Sequence, residues 1–386
     1  MHPYPYYPLT APRARLGLRP TSRHAGFSLV EVMVGMVIGL LGMVVMLQLF
    51  SVFEGQKRAT TGGSEAQNSG AIALYGLQRA VEKSGYGLSA YRMIGCNMTL
   101  AATTNRGVIT INNLAPVVIN HAAIPAGDAN TDTLLIAYGN TNSPPEGDGV
   151  TAQPSQPNYA VQTPTSFLLE DRVLAQVATR PSPCTLIMEK ISGLGNPNVT
   201  VATGIASMSG GTLYNVGNGP KLTAYAIRNS TLMVCEYVDI VFNAGGATTD
   251  NGQDCGNAAL IGVPTVWVPI ASNIVSLRAQ YGHDTRVVTA PPTYIVDSYD
   301  QTTPATACGW VRSPAIRMAL VVGNDQFNKT AVTSAAPVWG GSATTPIVLT
   351  ALANTFAGNW QNYRYKMFEA VIPLRNLTWQ GGQAGC

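Results

Sequence analysis

Glu31 is the only charged residue in a 27-residue apolar run, FSLVEVMVGMVIGLLGMVVMLQLFSVF at 27–53. A carboxylate at mid-bilayer costs about 2–3 kcal/mol, less near an edge, so such a group calls for a partner. A chain cut after Gly26 would carry a free amine on Phe27, four residues before Glu31. Four residues are about one helical turn, roughly 6 Å of rise. A neighbouring copy shifted along the axis could then set its amine beside this carboxylate. The bland alternative is a Glu31 that only snorkels to the membrane edge. Gly35, Gly39 and Gly42 fall on one face of the same helix, where small residues permit close helix approach in lipid, although glycine is common in membrane helices anyway.

The other reactive side chains form no enzyme-like constellation. The six cysteines, Cys96, Cys184, Cys235, Cys255, Cys308 and Cys386, all follow the apolar run and contain no CxxC. An even number fits a disulfide framework in an oxidising compartment, with 15 pairings open and buried free thiols as the alternative. Beyond residue 26 the histidines are His121 and His283, in no metal-ligand spacing. No G-x-S-x-G elbow, P-loop or dinucleotide fingerprint is present. Asp128-Ala129-Asn130-Thr131-Asp132 has the spacing of a calcium loop's start but lacks its glycine and closing glutamate, and Asp250, Asp254 and Asn257 cluster in another loop. Both read as polar turns. No cofactor or metal is expected.

These residues need a membrane helix and an exported head to position them. The 386-residue chain has a formal charge of +3, but Arg13, Arg15, Arg19 and Arg23 lie in the first 26 residues, which hold no acid. Without that piece 19 basic residues face 20 acidic ones, a charge of −1. Basicity is therefore no argument for nucleic-acid binding. Basic residues before the apolar run place the N-terminus in the cytoplasm and export the rest. Residues 54–85 continue the helix, with Leu74, Leu77 and Val81 at helical spacing and a bend or melting expected at Gly62-Gly63. Strand patterns follow at 133–138, 185–191, 222–228, 231–242, 273–281, 315–323 and 364–375. Val275, Leu277, Ala279 and Tyr281 should share one face, as should Phe368, Ala370, Ile372 and Leu374. Such one-sided strands suit an antiparallel sheet covered on one face. Residues 140–166, 244–258 and 325–345 read as loops, the first rich in proline.

A conventional signal peptide is cut after its apolar stretch. Here the small pair Ala25-Gly26 precedes it, and His24-Ala25-Gly26-Phe27-Ser28-Leu29-Val30-Glu31-Val32 resembles a prepilin-type signal. The resemblance implies cleavage after Gly26 by prepilin peptidase, N-methylation of Phe27, and a Glu31 that recruits the subunit into a filament. The long, unusual opening MHPYPYYPLTAP leaves open whether Met1 is the true start.

Four further segments resemble PilW-type minor pilins. They are Leu77-Gln78-Arg79-Ala80-Val81-Glu82-Lys83-Ser84-Gly85-Tyr86-Gly87 followed by Cys96, Asn273–Gly282 ending in QYG, Ala315–Val321, and Tyr363–Phe368 running to Leu374-Arg375-Asn376. Residues 100–260 show no such likeness. The implied fold is α+β and pilin-like: a long N-terminal helix, membrane half plus periplasmic half, packed on an antiparallel β-sheet head. Its parts are a leader (1–26), a transmembrane half (27–53), a periplasmic half (54–85) and a β-rich, disulfide-containing head (86–386). The implied role is structural. The subunit waits in the inner membrane, joins other minor pilins and the major pilin in priming assembly, and sits at the pilus tip, sometimes with a PilY-type adhesin. The alternatives are a minor pseudopilin of a type II secretion system and a tip module that binds a surface or DNA.

Overall fold

The computed structural model describes residues 26–101, 107–286, 291–352, 354–379, 381 and 386; the leader reading, Gly26 apart, lies outside them. The chain divides into two compact units, 1–57 and 58–386. In the first, Ser28 opens helix α1 (Leu29–Lys83) by accepting backbone bonds from Glu31 (2.9 Å) and Val32 (3.1 Å). Glu31 sits in the first turn, at capping-box spacing from Ser28, where a carboxylate complements the helix dipole. Residues 29–57 form a helix rich in Leu and Met with no proline, and every side chain on it is exposed.

In the second unit α1 runs unbroken to Lys83, so the melting expected at Gly62-Gly63 does not occur. Gly62, Ala66, Gly70, Ala73, Leu77 and Val81 are buried and recur every three or four residues, forming one seam. Gly62 is a contact in that seam: a Cβ there would collide with the Asn324 side chain. This packing outweighs the helix penalty of about 1 kcal/mol that glycine carries.

Strands Ile274–His283, Ala315–Gly323 and Tyr365–Pro373 form an antiparallel sheet with Ser298–Asp300 at one edge and Tyr365–Pro373 at the other. Phe368, Ala370, Ile372 and Leu374 join the core shared with α1, as the alternation predicts. Val275 departs from its predicted face. The register shifts between Ile274 and Ser276, so Ile274 joins Leu277, Ala279 and Tyr281 while Val275 turns to the other side. That side is covered too: Val275, Ala319 and Val321 pack with Trp339, Ile347, Leu349, Phe356 and Tyr363. The expectation of a single covered face is therefore wrong, because the segment read as a loop at 325–345, with the residues that follow it, builds a second small core.

A second antiparallel sheet holds Val117–Ile119, Leu134–Tyr138, Lys221–Arg228 and Thr231–Phe242, with Thr248–Asp250 and Val268–Ser272 both pairing to the last. The third is barrel-like. Thr185–Gly195, Arg172–Gln176, Thr212–Gly217, Asp148–Ser155, Asn158–Val161 and Asn198–Val201 pair antiparallel in that order, and the last returns to the first. Their interior is a separate core that includes Tyr159, Phe167, Ile191 and Leu213. Asn97–Leu100 adds to the ring in parallel with Thr185–Gly195, and Ile109–Ile111 pairs with it. The proline-rich segment 140–166 thus supplies two strands. Pro154 falls in the register shift between Ala152 and Ser155, and Pro157 in the turn before Asn158, where missing N–H groups are tolerated. The protein is α+β, a long N-terminal apolar helix plus a β-rich region, but its sheets exceed a simple one-sheet head.

Candidate functional site

The N-terminal segment is open to a partner along its length. Phe27 is 82% exposed and Glu31 is exposed one turn into α1. A Cβ placed on Gly35, Gly39 or Gly42 would meet nothing within 4 Å.

In the second unit, the segments singled out in the sequence converge where the helix is seated. Lys83 ends α1, Ser84 follows, and Gly85 (φ 74°) and Gly87 (φ 69°) take left-handed conformations that favour glycine. A helix end leaves carbonyls without partners. Asn376 answers this: its Nδ2 donates to the carbonyl of Ser84 at 2.9 Å, with Lys83 (3.3 Å) and Glu82 (3.4 Å) alongside. Ser89 Oγ donates back to the Asn376 carbonyl at 2.8 Å. Leu374 and Leu377, on either side, are buried. The Leu374-Arg375-Asn376 ending is thus the clasp of the helix end.

The strand motifs meet likewise. Gln280 and Arg317 are register partners, and Arg317 donates to Gln280 Oε1 at 2.6 Å. Gln280 Nε2 donates to the hydroxyls of Thr344 and Thr345, each at 2.8 Å. The Arg317 guanidinium lies 3.9 Å from the Tyr299 ring centroid and 5.4 Å from that of Trp339, cation–π contacts that hold the segment over the sheet. Tyr281 packs edge-on to Trp310 at 5.6 Å, and its hydroxyl accepts from the Ile119 amide at 2.7 Å. Burial pushes that hydroxyl up to about 12.

All six cysteines are paired, as Cys96–Cys184, Cys235–Cys255 and Cys308–Cys386. The polar clusters are occupied internally. Asp128 accepts from the amides of Asn229 (2.9 Å) and Ser230 (2.8 Å). Asp132 accepts from Asn120, Arg278, the Ala279 amide and Gln301 at 2.7–3.0 Å. Burial raises the Asp132 carboxyl despite those donors. Asp250 accepts from the amides of Asp239 and Gly252, and Asn257 caps a short helical turn through the Ala259 amide. His121 Nε2 bonds the Asn112 carbonyl and Nδ1 accepts from the Ala123 amide, so the ring is neutral, and burial lowers its pKa. Among the described residues no group of three or more His, Cys, Asp or Glu could hold a metal. Asp128 closes a turn, and Asp132 pairs with Arg278.

Sequence reasoning placed Phe368 on a covered face but missed Gly62, Gly70 and Asn324 as parts of the helix seat. The signal was present in the spacing of Gly62, Ala66, Gly70 and Ala73, but small residues carry little hydropathy.

Two family models that match parts of the chain support a pilin-like protein related to the type IV pilus. Residues 21–47 match the prokaryotic N-terminal methylation motif. Residues 257–376, which hold the four-stranded sheet and end on Asn376, match the family model described as Type IV Pilus-assembly protein W. The matches are those of a PilW-type pilin with a cleavage and methylation signal. No curated protein and no solved structure matches the chain. The motif and the apolar helix mark a membrane-anchored chain that engages prepilin peptidase and the pilus machinery.

Proposed function

We propose that this protein is a structural minor pilin that helps prime type IV pilus assembly and resides in the tip complex. The carrying observation is the pairing, on one chain, of the methylation motif at 21–47 with the PilW match at 257–376. Prepilin peptidase cuts after Gly26, and Phe27 becomes the methylated N-terminus. Residues 27–53 hold the subunit in the inner membrane, and residues 54–85 carry the disulfide-bonded head, 86–386, on the exported side. On extraction, Glu31 leaves the lipid by pairing with the amine of a neighbouring subunit, which repays its cost in the bilayer. Gly35, Gly39 and Gly42 let adjacent helices close on one another. Other minor pilins, the major pilin and a PilY-type adhesin are its partners. The chain acts by assembly and carries out no reaction of its own.

Mass spectrometry of the exported protein tests this. The expected mature chain begins at methylated Phe27. Gly26→Leu should leave the precursor uncut, and a mature-sized product would sink the cleavage assignment. Glu31→Ala should be cut normally but be depleted from sheared pili, and wild-type recovery would remove the amine–carboxylate pairing.

A further inference from the structure

The strand Tyr365–Pro373 closes one edge of the four-stranded sheet, and its hydrogen-bonding phase can be fixed from its two ends. The Leu374 amide donates to the Pro314 carbonyl and the Asn324 amide to the Arg364 carbonyl, both at 2.8 Å. In an antiparallel pair, bonded and non-bonded residue pairs alternate. With the register Ala315↔Pro373 to Gly323↔Tyr365, residues 366, 368, 370 and 372 bond inward to Ala315–Gly323. The backbone groups of Tyr365, Met367, Glu369 and Val371 therefore point out of the sheet. Among the described residues no hydrogen bond reaches them there. Glu369 and Val371 are exposed, and Met367 half-buried.

The usual protections of an edge are sparse here. The one proline, Pro373, sits at the strand's end. The Glu369 carboxylate is turned to the Gly340 amide on the sheet's far face, and Lys366 to Gln67 of α1. What remains is a ladder of four amides and four carbonyls at two-residue spacing, about 20 Å long. Water apart, an extended backbone is what matches both sets of groups at that spacing. The edge strand also lies against α1: Phe368 meets Gly70. A subunit packed beside α1 on the open side of this strand would reach the strand edge as well.

We propose that this edge is a β-augmentation site, filled in the assembled complex by an extended strand from the head of a different pilin-type subunit. Its side chains opposite Met367 and Val371 are apolar. The proposal rests on the pilin reading above and assigns that reading a second contact beyond the helix.

The test uses the full chain co-expressed with its filament subunits and purified in detergent. Val371→Pro removes an outward N–H and leaves the inner ladder intact. It should be processed after Gly26 and melt like wild type, yet retain roughly tenfold less partner subunit, whereas Val371→Thr, which keeps the amide, should retain it. Hydrogen exchange supplies a readout that does not depend on a variant folding. In the chain alone, amides 366, 368, 370 and 372 should be slow and 365, 367, 369 and 371 fast; in the complex both sets should be slow. Wild-type partner recovery by a folded Val371→Pro, or odd-numbered amides that stay fast in the complex, overturns the proposal. So does protection already complete in the chain alone, which would mean a second copy fills the edge. If wild type is neither processed nor incorporated, the pilin reading itself fails; if wild type incorporates and only the edge results are negative, this site alone is lost.

Discussion

Gly70→Ala sets two effects of similar size against each other. In an exposed helix the change stabilises by about 1 kcal/mol through propensity. At Gly70 the new Cβ would overlap three ring carbons of Phe368, two of them at 2.7 Å. Overpacking of this kind typically costs about 1–3 kcal/mol. The net expectation is a loss of between zero and about 2 kcal/mol. Gly76 is the internal control: it lies on the same helix with nothing within 4 Å of its Cβ, so Gly76→Ala should gain close to the full 1 kcal/mol or so of propensity. The two alanine variants should therefore differ by about 1–3 kcal/mol in urea unfolding of the full chain in detergent, disulfides intact. Repeating Gly70→Ala on a Phe368→Ala background should remove the penalty and restore the gain. If Gly70→Ala stabilises as much as Gly76→Ala, or its penalty survives without the ring, the seat of the helix on the sheet is wrongly described.

Two further outcomes are expected. Burial pushes the Glu170 carboxyl up, but the hydrogen bonds from Lys190 (2.9 Å) and from the Thr248 amide and hydroxyl (2.6 and 2.8 Å) outweigh it and hold it at about 2. A depressed carboxylate contributes its stability above the ordinary value of 4.5 and loses it as pH falls towards about 2, so Glu170→Gln should flatten the acid limb of the stability curve in that window. An unchanged limb would count against the ion pair. Gly39→Leu should leave processing and the melting of the head unchanged while lowering recovery in sheared pili; normal recovery would dismiss helix packing through that face.

The sequence made the apolar helix legible by its unbroken run of hydrophobic residues, and the main strands of the matched region by the alternation of large residues along them. Phe368, Ala370, Ile372 and Leu374 alternate cleanly, and the structure keeps them together. Val275 escaped because a bulge is a single extra residue with no signature in hydropathy, yet it exchanges the faces on either side of it. The barrel escaped for a different reason. Its strands are short, and Pro154 and Pro157 read locally as breakers although one sits in a register shift and the other in a turn. Cysteine pairing and the capping role of Asn376 depend on contacts between positions such as 96 and 184, or 84 and 376, which no local pattern encodes.

Tyr138 and Lys221 are directly opposed in the second sheet, yet the whole barrel, from Asp148 to Gly217, lies between them in the chain. Cα atoms of opposed antiparallel residues stand about 5 Å apart, a gap that a two-residue turn can bridge. The barrel is therefore an insertion in the covalent order: changing its length need not disturb the pairing of Leu134–Tyr138 with Lys221–Arg228, although Leu174, Leu186, Met188, Tyr214 and Val216 also belong to the core shared with α1. Deletion would cost a covalent tether, since Cys184 would go and leave Cys96 unpaired, together with the partner strand of Asn97–Leu100 and five side chains of the main core. Residues 148–217 thus interrupt the second sheet in the chain without separating its strands, and they fall outside the span matched by the family model.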